Sequence, residues 1–193
     1  MSINLLETVQ QHLGYGTLLK IDPNTQQVIK GENIPAEDRL GQAAIPAVLT
    51  GLYMYVQSDA GADDILQNDV PANLVSKIFN SNKHKAVQAV AAYGLVDIEQ
   101  AERSMNAVAE EAVKLLKTQM ADKADAKDIR AFLDGQRNNI LLHLPSDMQI
   151  GAILGDNNLD DNTYKMDGGI SGLIQNIGAL FSTTGSDEDN SKK

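Results

Sequence analysis

AAIPAVLTGLYMYV, residues 43–56, is the longest stretch of the chain without a charge. Read as a helix, it is apolar on every side apart from Thr50. Such a helix has to be covered all round, by other helices or by lipid. Lipid is excluded by length, because a membrane span needs about 20 apolar residues. The other segments are amphipathic at helical spacing and can supply the cover. The sequence therefore predicts an all-α, single multi-helix globular domain around a central apolar helix at 43–56. Pro46 removes a backbone donor and crowds the preceding turn, so the helix is expected to start or bend there, with its buried length beginning near Ala47. Thr50 and the hydroxyls of Tyr53 and Tyr55 need partners if they are buried. At least one of them is expected to find its partner on the helix that carries Gln136 and His143.

Working outward, the chain divides into helices by their caps and stripes. Ser2 is expected to cap a first helix with Ile3, Leu6, Val9 and Leu13 inward, ended by Gly14 and Gly16. Asp22-Pro23-Asn24 is either a turn between two short extended runs or a cap, and a cap with a short helix is favoured. Pro35 fits the first turn of the helix that leads into the central stretch, with Glu37 and Asp38 near its positive end. A break is expected at 58–63, with a helical turn at 62–66. A helix over 71–79 should turn Leu74, Ile78 and Phe79 inward. Ser81 or Asn82 caps the next, which Gly94 ends.

Asp97 then caps the strongest helix, with Ile98, Ala101, Met105, Val108, Ala112 and Leu115 as its stripe and Glu99–Arg103 and Glu110–Lys114 as i,i+4 pairs. Residues 128–144 form another helix with Ile129, Phe132, Leu133, Ile140 and Leu144 buried. Ser146 and Gln149 have the spacing of a capping box for a short helix to Leu154. A last helix over 170–181 follows an Asp/Asn-rich loop. The domain is expected to span 1–184, with a polar, disordered tail at 185–193.

Composition bounds the function. The chain has 193 residues and a net charge of -10, which repels nucleic acid and anionic membrane surfaces. It has no Cys, so disulfides, thiolate catalysis and zinc–thiolate sites are excluded. Residues 1–11 lack the basic, apolar pattern of a signal peptide, and a cytoplasmic location is expected. Residues 87–105 have the outline of a DNA-binding helix-turn-helix. Its second helix would bring Asp97, Glu99 and Glu102 against one Arg103, the wrong sign for phosphates.

Two constellations carry chemistry. Asp156, Asn158, Asp160, Asn162 and Asp167 occupy positions 1, 3, 5, 7 and 12 of a calcium loop, where alternating oxygens wrap a hard cation. Position 6, which needs a tight turn, is Asp161 rather than Gly, and position 12 is the shorter Asp rather than Glu. The competing reading is an Asp/Asn-rich turn. Gln136, Arg137, Asn138, Asn139 and His143 cluster on one helix, and Gln136 and His143 fall within or beside its apolar stripe. They form either a polar pocket with His143 as base, or a buried network that satisfies backbone ends or tyrosine hydroxyls.

The segment IFNSNKHKAVQAVAAYGLVDIEQAERSMNAVAEEAVKLL, residues 78–116, resembles the YidB-like group of small helical bacterial proteins of unknown function. The likeness lies in its order: the apolar pair Ile78-Phe79, a polar connector, an Ala/Val-rich helix, Gly94-Leu95, and an acidic start with Gln100-Ala101. It implies a bacterial, all-helical protein and supplies no catalytic residue and no cofactor. The expected function is a non-catalytic helical protein acting through self-association, as a homo-oligomer, or through a protein partner. The alternatives are a calcium-binding module using the 156–167 loop, and a small-molecule binder or hydrolase with a pocket near Gln136 and His143.

Overall fold

The computed structural model describes residues 3–21, 34–67, 73–120, 124–156 and 159. Ser2, the Asp22-Pro23-Asn24 segment, the helix at 170–181 and the tail at 185–193 lie outside the described residues. Among the described residues the chain is all helical: α1 (Leu5–His12), α2 (Ala36–Tyr55), α3 (Asp59–Gln67), α4 (Leu74–Phe79), α5 (Lys83–Gly94), α6 (Ile98–Gln119), α7 (Ala126–Leu141) and α8 (Ile150–Leu154). Helix α2 is the axis. It packs against α1, α4, α5, α6, α7 and α8, and every residue from 40 to 52 is buried. Full cover by helices is what its all-round apolar surface demands.

The expectation for Pro46 needs correction. Pro46 lies inside α2, which runs unbroken from Ala36, and burial begins at Leu40 rather than near Ala47. Proline removes one rung of the helical ladder, the bond its N–H would give to the Gln42 carbonyl. Packing on every side outweighs that single loss, because each apolar side chain fully buried contributes about 1.5–3 kcal/mol.

Some helix ends are set by local chemistry and others by neighbouring elements. Asn4, not Ser2, caps α1: its Oδ1 accepts from Glu7 N at 3.3 Å. Gly14 then takes φ +71, with Tyr15 N–H donating to Gln10 O at 3.0 Å and Gly14 N–H to Gln11 O at 3.2 Å, a Schellman closure. Asp97 caps α6 through Gln100 N at 2.7 Å, as expected. Asp125 and Asp128 form a reciprocal capping box that starts α7 two residues early, at Ala126. The box expected at Ser146 and Gln149 is absent: 146–148 is a 3₁₀ turn, and Gln149 is left-handed (φ 49). The break expected at 58–63 is instead the start of α3, whose first turn is tied by Ser58 Oγ accepting from Gly61 N at 3.0 Å.

Gly94 does not provide the left-handed residue that ends α5. That conformation falls on Leu95 (φ 54), with Val96 N–H donating to Ala91 O at 3.1 Å. Gly94 is the last residue of α5, and a Cβ there would make ordinary contact with Leu40 of α2. The residue after it bears the strain, of order 1–3 kcal/mol for a non-glycine.

Helix α6 buries Ala101, Ser104, Met105, Val108, Ala109, Ala112, Val113 and Leu116. Its stripe is rotated slightly from the expected one: Leu116 rather than Leu115 is fully buried, and Ile98 is exposed. Both i,i+4 pairs form, Arg103–Glu99 at 2.5 Å and Lys114–Glu110 at 2.7 Å, on the exposed face. Solvent screens such exposed pairs, so they contribute little to stability. Arg130 of α7 does more: its Nε donates to Val56 O at 2.8 Å and its Nη2 meets Asp59 at 2.5 Å, so it joins the end of α2 to the start of α3. Phe132, expected inside, is only half-buried.

Thr50 is buried in α2, and its Oγ1 has no hydrogen-bond partner among the described residues. A buried hydroxyl left unpaired is unfavourable by about 1–3 kcal/mol. The nearly isosteric Thr50→Val is therefore expected to raise stability by about 1 kcal/mol in urea denaturation. A loss of stability would show that the hydroxyl has a partner after all.

Candidate functional site

The polar residues singled out on α7 fall among the most committed side chains of the molecule. Gln136 is buried. Its Oε1 accepts from Leu5 N at 3.0 Å, and its Nε2 donates to Ile3 O at 3.0 Å. One side-chain amide thus pairs with a donor and an acceptor of the backbone entering α1, as a neighbouring strand would. Asn139 adds Nδ2 to Asn4 Oδ1 at 2.8 Å, which holds the α1 cap in place. Leu5 N is one of the orphan donors at a helix start, and buried orphans need partners.

Gln42 of α2 repeats the device on the next segment. The irregular strap 15–21 crosses between α2 and the end of α7. Gln42 Oε1 accepts from Leu19 N at 2.7 Å, and its Nε2 donates both to Leu19 O at 3.1 Å and to His143 O at 2.8 Å. Ile21 N–H donates to Leu142 O at 2.7 Å. The strap begins with Tyr15, whose ring lies over Gly41 and whose hydroxyl meets Ser104 Oγ at 2.6 Å. Gly16 N–H donates to Asp38 Oδ1 at 3.1 Å.

His143 sits under this strap and is buried. Its Nδ1 lies 2.7 Å from Asn139 O, which as an acceptor fixes the proton on Nδ1. Burial depresses its proton affinity most. The hydrogen bond to Asn139 opposes that, Lys20 adds to the depression, and Glu7 works against it. The imidazole is therefore neutral near neutral pH.

Arg137 points elsewhere, with its guanidinium 6.0 Å from the centre of the Tyr53 ring. Tyr53 is raised in pKa by burial and then by Asp134, while Arg137 opposes the shift through its charge and a side-chain hydrogen bond. The hydroxyl of Tyr53 thus has its partners on α7. Tyr55 instead donates to Asp64 Oδ2 at 3.0 Å, and Lys77 bridges the same carboxylate at 2.7 Å. Burial, then Asp64, push the Tyr55 hydroxyl up to about 12. Gln136, Arg137 and His143 accordingly face three different partners: the start of α1, Tyr53, and the turn beneath the strap.

Of the calcium-loop residues, only Asp156 falls among the described residues. Asn158, Asp160, Asn162 and Asp167 lie outside them. Asp156 N–H donates to Gly151 O at 2.9 Å, just after Gly155 closes α8 at φ +85. Among the described residues, no three acidic or histidine side chains gather closely enough to hold a metal ion. The departures from the calcium-loop pattern at Asp161 and Asp167 weaken its hold on a cation, so excess calcium and excess chelator should give the same melting temperature. Binding to the native state would raise the temperature by mass action, and a rise of several degrees would restore the calcium reading.

Gln42 was not legible as important. It is one polar residue at the head of an apolar run, and sequence reading passes over it as the last exposed position before the core. Its neighbours Gly41 and Ala43 offered the only signal, since a long side chain between two small residues has room to reach along the helix surface. His12 likewise has a partner far in sequence, Glu111 Oε1 at 2.7 Å from its Nδ1.

Compared with known proteins, the chain matches no family model, no curated protein and no solved structure. Among the described residues, no helix is long and apolar enough to cross a membrane.

Proposed function

We propose that this is a non-catalytic helical protein that acts by association, with a second copy of itself or with a protein partner. The observation that carries the reading is the α5–α6 turn. Leu95 is 70% exposed and Ile98 is 41% exposed, the former in a left-handed conformation that leucine adopts at a cost. A strained, exposed apolar side chain is a reason to look for a partner. Gln136, Arg137 and His143 support the same reading, because each is engaged with an internal partner among the described residues. A protein is favoured over nucleic acid, since the chain carries a net charge of -10 and the two cations beside the turn, Arg103 and Lys83, are paired with Glu99 and Glu102.

Light scattering across a range of concentrations tests this. Mass should rise with concentration, and Leu95→Asn with Ile98→Gln should abolish the rise without lowering the melting temperature. Asparagine tolerates the left-handed region better than leucine. A monomer throughout, in the parent and the variant alike, removes self-association and leaves only a partner of another kind. The likeness of residues 78–116 to YidB-like proteins and a cytoplasmic, bacterial setting belong to this proposal. They rest on the sequence alone.

A further inference from the structure

Helix α4 ends on a residue whose backbone few amino acids tolerate. Asn80 has φ 47 and ψ -127, outside the left-handed helical region that asparagine visits. A residue other than glycine stays there only when its surroundings hold it. Two anchors do so. On one side, Ile78 and Phe79 are buried, and the Asn80 N–H donates to Ser76 O. On the other, Asn82 Nδ2 donates to Ile153 O of α8 at 2.9 Å, and the Lys83 N–H donates to the Asn80 carbonyl. Between these anchors Asn80 and Ser81 are exposed.

The ψ of Asn80 aligns two groups that must bond when an asparagine loses its amide. Chirality sets the Cβ of an L-residue about 120° round from its backbone nitrogen, viewed along the Cα–C bond. At ψ -127 the two rotations nearly cancel, and Cβ eclipses the nitrogen of Ser81. Rotation of the exposed side chain about Cα–Cβ then brings Cγ to that nitrogen. In an ordinary helix or strand, Cβ and the next nitrogen stand about 80° or more apart. Asn82, with ψ 3, has them well apart, and its amide is tied to Ile153. The small side chain of Ser81 does not shield its nitrogen.

We propose that Asn80 is a site of spontaneous deamidation, held by the fold in the backbone conformation that closes a succinimide ring with Ser81. A base in solution removes the Ser81 amide proton. The charge spreads onto the Asn80 carbonyl oxygen, where the Lys83 N–H donates. The nitrogen's electron pair forms a bond to Asn80 Cγ. The Cγ–Nδ2 bond breaks, and Nδ2 takes a proton from water and leaves as ammonia. Water then opens the ring. Cleavage between the nitrogen and Cγ leaves aspartate on the original backbone. Cleavage between the nitrogen and the backbone carbonyl carbon leaves isoaspartate, whose chain runs through Cβ and Cγ. Either product adds a negative charge at the junction of α4 and α5, and isoaspartate lengthens that junction by a methylene carbon.

Incubation of the full-length protein at mildly alkaline pH, followed by tryptic mapping, reads the site. Fragmentation of the peptide 78–83 separates Asn80 from Asn82. A synthetic peptide of residues 78–83 gives the rate without the fold. Asn80 should lose its amide about tenfold faster in the protein than in the peptide, because the fold holds an eclipsed backbone that the free chain visits rarely. The products should include isoaspartate, which requires the ring. Asn82 should keep its amide in the protein. The proposal is overturned if Asn80 reacts no faster in the protein than in the peptide, if aspartate forms without isoaspartate, or if Asn82 reacts as fast as Asn80.

Discussion

Gln42→Ala is expected to destabilise the fold by about 3 kcal/mol, more than removal of any surface ion pair. Three hydrogen bonds are lost at once, and the substitution leaves the Leu19 N–H, the Leu19 carbonyl and the His143 carbonyl without their partner. Each such group costs about 1–3 kcal/mol when it stays buried, and water reaching partly exposed Leu19 lowers the sum. Gln42→Glu is the sharper control. It keeps the shape and the acceptor for Leu19 N–H, but it replaces the Nε2 donor with an oxygen facing two carbonyls. Urea denaturation of both variants checks the account. If Gln42→Glu is as stable as the parent at neutral pH, the amide is not what holds the strap.

Gly51→Ala should lower stability by about 1–3 kcal/mol, the usual range for overpacking a well-filled core. Alanine is the better helix former by about 1 kcal/mol, so propensity alone predicts the opposite sign. Packing decides the sign: a Cβ at position 51 would lie 2.5 Å from Ile78 Cγ2 and 2.9 Å from Phe79 Cζ. Both side chains are buried on α4, the aromatic ring is rigid, and α2 is fully enclosed there. Gly135 supplies the comparison. It lies on the exposed face of α7, where a methyl added at its Cα would meet nothing within 4 Å, so Gly135→Ala should gain up to about 1 kcal/mol. Thermal or urea melts of the two variants should therefore move in opposite directions. Two shifts of the same sign would mean that α4 does not press on α2 as described.

The core was legible because burial leaves a periodic trace. The stretch 43–56 reads as enclosed, and the stripes of α4, α6 and α7 give most of the buried residues. Caps whose partner lies three residues away, such as Asp97, were legible for the same local reason. Three kinds of feature were not. Pro46 is a local signal overridden by packing on all sides, which sequence windows do not see. Gly94 reads as the glycine that takes the left-handed turn after α5, but that conformation falls on Leu95. The glutamine clamps leave no pattern at all: Gln42 and Gln136 each meet backbone groups far away in sequence, and any segment of chain carries such groups. The polar cluster on α7 could be recognised as unusual, but its partners at Ile3 and Leu5 could not be named from its spacing. The 156–167 loop falls mostly outside the described residues, and the calcium question passes to the melting experiment.

The same clamps set the order in which the molecule can be finished. The amide of Leu5 waits for Gln136, and that of Ile21 waits for Leu142. On a ribosome adding about 5–20 residues per second, the strap would be made roughly 6–25 seconds before the α7 turn that receives it. In that interval α1 lacks its clamp, and the apolar face of Leu5, Leu6 and Val9 has no α7 to lie against. Helix α1, made before the other described helices, is therefore among the last to be fixed, and its apolar face stays sticky until α7 arrives.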